Sequence, residues 1–178
     1  MAQYQRIVVL GVTGSGKTTF AQMLAARVGY RHIEMDALHW LPHWTEKPIE
    51  AFQADIAEAV SSESWVMDGN YSKVRDIVWS RAEAIIWLDY PLPLILWRLT
   101  RRTINRILSK EVLWNDNRES FRNQFRRDSL FVWAFQSYHK QQQTYPALFQ
   151  QPEYAHISII RLTSPQAAED WLKSIQKN

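Results

Sequence analysis

Short apolar segments alternate with longer amphipathic segments along most of the chain. A run of four or five apolar residues is typical of a strand buried on both faces of a parallel sheet, and apolar residues at every third or fourth position are typical of a helix that covers it. The alternation therefore predicts an α/β protein with helices on both faces of a parallel sheet. The predicted strands are residues 6–10, 32–35, 64–67, 84–88 and 157–161.

The ends of the predicted helices carry residues that favour such positions. Gly29 follows the amphipathic segment 17–28 and suits the left-handed conformation that ends many helices. Pro48 suits the first turn of a helix that follows the second strand. After the last strand, Ser164 and Pro165 predict an N-cap and the first residue of a C-terminal helix.

A long helical segment, from residue 92 to about residue 149, separates the fourth and fifth strands. It is interrupted near residues 113–119, where Asn and Asp predict a loop. No repeat or linker divides the chain. We therefore expect one domain over residues 1–178, with a lid-like excursion at about residues 109–126.

Composition and charge narrow the possible functions. The chain has no cysteine, which excludes disulfides and cysteine-based metal sites. Its net charge is only +3, but arginine and lysine are concentrated between residues 98 and 127, which suits an anionic partner such as a phosphate. The first apolar run is too short for a signal peptide, and no apolar run reaches the ~18 residues that cross a bilayer. We therefore expect a cytoplasmic protein with no membrane partner.

The sequence GVTGSGKT at residues 11–18 follows the first strand, opens the first helix and carries every residue that a phosphate loop requires. Its glycines permit backbone angles that turn N–H groups toward a bound anion. Lys17 is expected to reach the β- and γ-phosphates, and Thr18 to ligate Mg²⁺ through its hydroxyl group. The pattern predicts that ATP and Mg²⁺ are bound by Gly11, Val12, Thr13, Gly14, Ser15, Gly16, Lys17, Thr18 and Thr19.

Three further segments resemble adenylate kinase-related proteins. WVMDGNY, residues 65–71, is similar to their apolar strand that ends in Asp-Gly. IIWLDYPLPLILWRLTRR, residues 85–102, is similar to their fourth strand and arginine-bearing helix. RRDSLFVWAFQSYHKQQQTYPALF, residues 126–149, is similar to the segment that returns from their lid. Within that family the chain most resembles the FlaR-type "DNA topology modulation protein" group. The resemblance implies a P-loop NTPase fold of three α/β/α layers, with a five-stranded parallel sheet in the order 2-3-1-4-5.

Two departures from adenylate kinase concern the acceptor. Thr18 stands where that family has a glycine after the loop lysine, and Asn70-Tyr71 replaces its Phe-Pro-Arg turn. Thr18 and the acidic pair Glu34 and Asp36 look more like shikimate or gluconate kinases. In those enzymes an acid at this place contacts Mg²⁺ and the acceptor hydroxyl.

Three aspartates at strand ends are candidates for the reaction. Asp68 ends the third strand, which we expect beside the phosphate-loop strand, and it would hold Mg²⁺ through water. Asp89 follows the fourth strand in a similar pattern, and the resemblance ranks it second. Asp36 is predicted to orient or deprotonate an acceptor hydroxyl, or to position the acceptor if that is a phosphate. The alternative for both Asp36 and Asp68 is ordinary capping after a strand.

Basic and aromatic residues complete the predicted site. Arg98 and Arg102 recur at helical spacing, and Arg127 matches the lid-return motif of the family. The resemblance implies that such arginines close over the nucleotide, neutralise charge and exclude water. The alternative for each is a solvated basic face. The predicted acceptor-binding residues are Asp36, His39, Trp40, Asn70, Tyr71 and Arg75.

Three functions are compatible with this pattern, and the weakest of them is a nucleotide-binding regulator with negligible turnover. The favoured one is an ATP-dependent phosphotransferase that acts on a nucleotide or another small acceptor. The alternative is a nucleic-acid-associated P-loop ATPase, in which residues 98–127 bind the phosphate backbone and Trp114 and Trp133 stack on bases. The chain carries no nucleic-acid-binding signature, and its arginines lie where a lid belongs. The acceptor, the choice of ATP over GTP and the oligomeric state stay open at this point.

Overall fold

The computed structural model describes residues 4–109 and 130–175. Its centre is a five-stranded parallel sheet, and two further short strands form a separate hairpin. Numbered along the chain, the strands are β1 (Arg6–Gly11), β2 (Arg31–Glu34), β3 (Trp40–Leu41), β4 (Thr45–Glu46), β5 (Trp65–Asp68), β6 (Ala84–Leu88) and β7 (Ser158–Leu162).

The strands of the main sheet lie in the order β2-β5-β1-β6-β7, and all neighbours are parallel. Counted along the chain without the hairpin, this is the order 2-3-1-4-5, which confirms the predicted fold. The order places β5 between β1 and β2. As a result Asp68 is paired with Val9 on one side and with Glu34 on the other.

Helices cover both faces of this sheet. Alternate side chains of β1 point to opposite faces, so Val8 and Leu10 belong to one buried cluster while Ile7 and Val9 belong to another. The helices are α1 (Lys17–Val28), α2 (Met35–His39), α3 (Ile49–Ala59), α4 (Arg75–Trp79), α5 (Leu92–Ser109), α6 (Leu130–Leu148) and α7 (Pro165–Ser174). The first cluster includes side chains of α3 and α4, and the second includes side chains of α1, α5 and α7.

The predicted helix ends agree closely with the structure. Helix α1 has the predicted bounds, and Gly29 ends it with a φ of 75° and an N–H bond to the Ala25 carbonyl. Ser164 is the N-cap of α7, and its hydroxyl accepts the N–H of Ala167 at 3.1 Å. Pro165 is the first residue of that helix. The predicted strand bounds differ from the observed ones by no more than one residue.

The segment after β2 forms a short helix and a two-stranded hairpin. Met35 is the buried first residue of α2 and not the end of a strand. The antiparallel strands β3 and β4 follow, joined by a turn in which His43 and Trp44 have φ angles of 62° and 56°. The rings of Trp40 and Trp44 meet edge to face, with centroids 5.6 Å apart. This aromatic contact joins the first strand of the hairpin to its turn.

Several predictions concern residues outside the described ranges. The interruption at residues 113–119, the side chain of Arg127 and, apart from Ser109, the whole excursion at 109–126 lie there. Helix α5 ends just before the residues that are not described, and helix α6 begins just after them. Among the helices that are described, none is both long enough and apolar enough to cross a membrane.

Candidate active site

The phosphate loop joins β1 to α1 and packs closely against α5. Gly14 has a φ of 85°, and a Cβ at this position would lie 2.9 Å from the carbonyl oxygen of Ile95 and 3.1 Å from Leu99 Cβ. Only glycine fits such a contact without moving the helix. Gly16 is the N-cap of α1 and provides no side-chain cap. The first N–H groups of α1 are therefore left for an anion at the positive end of the helix.

The other loop residues complete a continuous cradle. Val12 is buried, and its carbonyl accepts the N–H of Ser15 at 3.0 Å. The hydroxyl of Ser15 is fully buried and has no hydrogen-bond partner among the described residues, which fits a group that bonds to a ligand. Lys17 is the half-buried first residue of α1, and Thr19 is exposed in the same turn. The predicted phosphate-binding residues thus lie together where the loop enters the helix.

Two carboxylates flank the hydroxyl group of Thr18. Its Oγ1 donates to Oδ2 of Asp68 at 2.7 Å and lies 3.5 Å from Oε1 of Glu34. The Asp68 side chain is only 1% exposed. The contact depends on the sheet order, because β5 lies next to both β1 and β2. The structure thus brings both predicted metal residues, Thr18 and Asp68, together.

His32 is a further polar residue of this cluster. Its Nε2 donates to Oδ1 of Asp68 at 2.7 Å, so that both oxygens of this carboxylate have a partner. His32 is not among the predicted site residues, because a single histidine inside a short strand carries no motif. Its position two residues before Glu34, on the same face of β2, is the only signal in the sequence.

The chemistry of these groups fits Mg²⁺. The hydroxyl of Thr18 and the carboxylates of Asp68 and Glu34 are hard oxygen ligands, which Mg²⁺ prefers. Among the residues that the structure describes, no three His, Cys, Asp or Glu side chains form a group that could hold a metal ion. Mg²⁺ that is bound together with a nucleotide takes several of its ligands from phosphate and water, so a hydroxyl group and a carboxylate fit the share that a protein provides.

Two of the predicted arginines contact the phosphate loop. Nη1 of Arg98 donates to the carbonyl of Ser15 at 3.0 Å, and the guanidinium group lies 5.3 Å from the ring centre of Tyr90. Nη2 of Arg102 donates to Oγ1 of Thr13 at 3.3 Å. Both cations therefore lie on the α5 side of the loop and point toward it, so they are not spread over an open basic surface.

Asp36 lies in the first turn of α2 and bonds to a tyrosine that follows β5. The Tyr71 hydroxyl donates to Oδ1 of Asp36 at 2.6 Å. Burial, together with the nearby charge of Asp36, raises the pKa of Tyr71 far above its usual value. Tyr71 is therefore protonated at neutral pH and donates to Asp36. The bond holds the half-exposed Asp36 in one orientation.

His39 lies at the centre of an aromatic cluster. Its ring centroid is 4.5 Å from that of Tyr71 and 4.8 Å from those of Trp40 and Phe52. Burial lowers the pKa of His39 below 6.5, so the ring is neutral at pH 7. Among the described residues, Nδ1 of His39 has no hydrogen-bond partner, and Nε2 lies 4.0 Å from the Glu46 carboxylate.

Asn70 and Arg75 line a cleft next to this cluster. Both polar atoms of the Asn70 amide face the start of the phosphate loop: Nδ2 donates to the Gly11 carbonyl at 2.5 Å, and Oδ1 accepts the Gly11 N–H at 3.3 Å. Asn70 was predicted to bind the acceptor, but its amide in this arrangement holds the loop. Arg75 lies at the start of α4, with its guanidinium group 5.3 Å from the ring centre of Trp79.

Asp89, the second candidate for the metal, has other partners. Its Oδ2 accepts from Arg161 on β7 at 2.5 and 2.7 Å, and its Oδ1 accepts from Gln142 on α6. A buried carboxylate with this many donors is fully compensated within the protein. The geometry therefore favours Asp68 as the carboxylate on the phosphate-loop side.

Comparisons with known proteins give one consistent class of relatives. No protein-family model matches the chain. Shikimate kinase of Synechococcus elongatus is 29% identical over 138 residues, and the match covers 65% of this chain and 72% of that protein. The structure of shikimate kinase from Acinetobacter baumannii in complex with shikimate matches at a TM-score of 0.60 and 19% identity, over 97% of this chain and 90% of that chain. A gluconokinase from Sinorhizobium meliloti 1021 matches at a TM-score of 0.53 and 19% identity, over 95% and 91% of the two chains.

The proteins similar to this chain thus include several small-molecule kinases. The structural matches have low identity and show the shared fold, and the sequence match adds kinase relatives for most of the chain. P-loop kinases use ATP with Mg²⁺, which confirms the expected cofactors. The acceptor is not determined by these matches. None of these matches tests the predicted resemblance to the FlaR-type group.

Proposed function

We propose that this chain is an ATP-dependent phosphotransferase that transfers the γ-phosphate of ATP to a hydroxyl group of a small acceptor. The observation that supports this most is the meeting of three features at one sheet edge. They are a complete phosphate loop, the Thr18–Asp68 pair, and the carboxylate of Asp36 at the start of α2, which Tyr71 holds in place. A hydrolase needs the first two features, whereas the third suits a second substrate.

The donor half of the proposed site is built from the loop and α5. The N–H groups at the start of α1, with Lys17, bind the phosphates. Arg98 and Arg102 lie against the loop and stabilise negative charge on the transferred group. When bound at Thr18 and Asp68, Mg²⁺ supplies charge neutralisation and orientation of the phosphates.

The acceptor half is built from α2 and the residues that follow β5. Asp36 accepts the proton of the acceptor hydroxyl as the new O–P bond forms and the bond between the γ-phosphorus and the bridging oxygen breaks, which releases ADP. Tyr71 orients Asp36 for this role. Arg75 lines the adjacent cleft and provides a positive charge for an anionic group of the acceptor.

The named relatives suggest the chemical class of the acceptor. Shikimate kinase and gluconokinase are named for hydroxylated acids, and such a compound carries both a hydroxyl group for Asp36 and an anion for Arg75. We therefore propose that the acceptor is a small polyhydroxylated acid, in preference to a nucleotide.

Four further points belong to the proposal. Arg127 and the excursion at residues 109–126 form a lid, and the whole chain is one domain. The chain is similar to the FlaR-type group, and its location is cytoplasmic.

The test is ADP formation over a panel of acceptors: hydroxylated acids, nucleosides, nucleoside monophosphates and nucleic acids at varied salt. We expect the correct acceptor to raise ADP formation sharply. Lys17→Ala should abolish that increase, because the phosphates lose their main side-chain cation, while Lys140→Ala on the exposed face of α6 should retain it. Stimulation by nucleic acid alone, lost at high salt, would instead support the ATPase alternative.

A further inference from the structure

The Asp68 carboxylate is held between two donors, and only one of them belongs to the phosphate-binding helix. Oδ2 accepts from Thr18 on α1, whereas Oδ1 accepts from His32 on β2, each at 2.7 Å. A carboxylate that is 99% buried must have such partners, because an uncompensated buried charge is very costly. The two donors approach from different elements, and they fix the carboxylate from both sides.

The strand register explains how His32 reaches this carboxylate. Strands β2 and β5 are parallel neighbours, with Glu34 paired to Asp68 and His32 paired to Val66. Side chains two residues apart on a strand share a face, so His32 and Asp68 are diagonal neighbours on one face of the sheet. Such diagonal pairs lie within reach of a ring side chain. The ring of His32 thus extends from β2 to the carboxylate of Asp68, the residue on β5 that is paired with Glu34.

The aspartate side chain has no strong rotational preference of its own about its last torsion. A donor on Oδ1 therefore decides where Oδ2 points. We propose that His32 is a positioning residue, whose Nε2–H holds Oδ1 of Asp68 so that Oδ2 stays on the Thr18 side, where the Mg²⁺ of a bound nucleotide is coordinated. This inference rests on the proposed function, and it assigns a task to a residue outside the phosphate-loop motif.

The test measures how strongly Mg²⁺ improves ADP binding by the full chain. Calorimetry gives the ADP dissociation constant in excess Mg²⁺ and in chelator, and their ratio is the metal effect. His32→Phe keeps a ring but has no donor. We expect it to reduce the metal effect about 10-fold or more, as is usual for groups that orient metal ligands, with little change in chelator. His32→Gln places an N–H near the Nε2 position and should keep most of the effect.

Controls separate positioning from a general loss of structure. His139→Gln changes an exposed histidine on α6 and should leave the metal effect unchanged. Urea unfolding of each variant shows whether it is folded, and His32→Leu replaces His32→Phe if the latter is not. In an Asp68→Asn background, His32→Phe should produce no further loss, because His32 acts only through the carboxylate.

The outcomes distinguish this inference from the function on which it rests. If the wild-type chain binds no ADP, the proposed function is wrong and the inference is wrong with it. If the wild type shows a metal effect and His32→Phe retains it, only the inference is overturned. An equal loss of ADP affinity with and without Mg²⁺ would likewise show that His32 has a structural task alone.

Discussion

Asn70→Ala tests whether this side chain holds the phosphate loop or reads the acceptor. The substitution removes two hydrogen bonds to the Gly11 backbone, at 2.5 and 3.3 Å. Gly11 is buried at the end of β1, so water does not readily replace the lost partner. The first residue of the loop then loses both of these partners.

The expected magnitude follows from these two bonds. A net contribution of about 1 kcal/mol for each gives a loss of about 2 kcal/mol in the free energy of unfolding. For a chain of this size that corresponds to a fall of about 4–8 °C in the unfolding midpoint. ADP affinity should also fall, because the loop becomes less well ordered before the ligand binds.

Urea unfolding and ADP calorimetry measure the two effects, with two companion variants. Asn105→Ala changes an exposed residue of α5 and should leave both quantities unchanged. Asn70→Asp keeps an acceptor for the Gly11 N–H but loses the donor to the carbonyl, and it adds a negative charge beside the phosphate site. It should weaken ADP binding more than Asn70→Ala does.

The reasoning is refuted if Asn70→Ala leaves the free energy of unfolding within about 0.5 kcal/mol of wild type, which is the range of neutral surface substitutions. If the same variant raised the KM for the acceptor and left ADP binding intact, Asn70 would be an acceptor-binding residue, as the sequence alone suggested.

Two further predictions concern the acceptor side. Tyr71→Phe removes the 2.6 Å hydrogen bond to the Asp36 carboxylate. Because a hydrogen bond to a charged group contributes about 1.5–3 kcal/mol, the variant should lower kcat about tenfold or more and leave ADP affinity unchanged. An unchanged kcat would show that Asp36 needs no orienting partner. Burial lowers the pKa of His39 below 6.5, so the unfolded chain takes up this proton first, and the free energy of unfolding should fall as the pH falls from about 6.5 toward the lowered pKa. Urea unfolding across this range should show a weaker pH dependence for His39→Phe, and an equal slope in both proteins would contradict the prediction.

The turn after β5 connects the two halves of the proposed site. Asp68 bonds to the helix that follows the phosphate loop, Asn70 bonds to the first residue of the loop, and Tyr71 bonds to the carboxylate on the acceptor side. Gly69 between them has a φ of 148°, and a Cβ there would lie 2.5 Å from Cβ of Met35. The close approach holds this turn against the start of α2, so donor and acceptor groups share one support.

Much of the fold was predictable because it depends on local patterns. The phosphate loop, the bounds of α1 and the Ser164 cap each depend on residues within a few positions of one another. The buried strands follow from runs of apolar residues, since only a strand covered on both faces can bury every side chain. The segment of α2 and the hairpin was not predictable in this way, because its stability comes from contacts among Trp40, Trp44 and His39.

The amino-acid sequence by itself determined the chemistry that is present: a phosphate cradle, an adjacent lysine, several arginines and two aspartates that end apolar strands. The resemblance ranked Asp68 above Asp89, but only the tertiary structure gave the physical reason, because the strand order places one beside Thr18 and the other beside Arg161. It also gave Asn70 and His32 their partners, which lie 59 and 36 residues away along the chain. Spacing along a chain determines turns and helix faces, whereas the partner of a side chain at a strand end depends on which strands become neighbours.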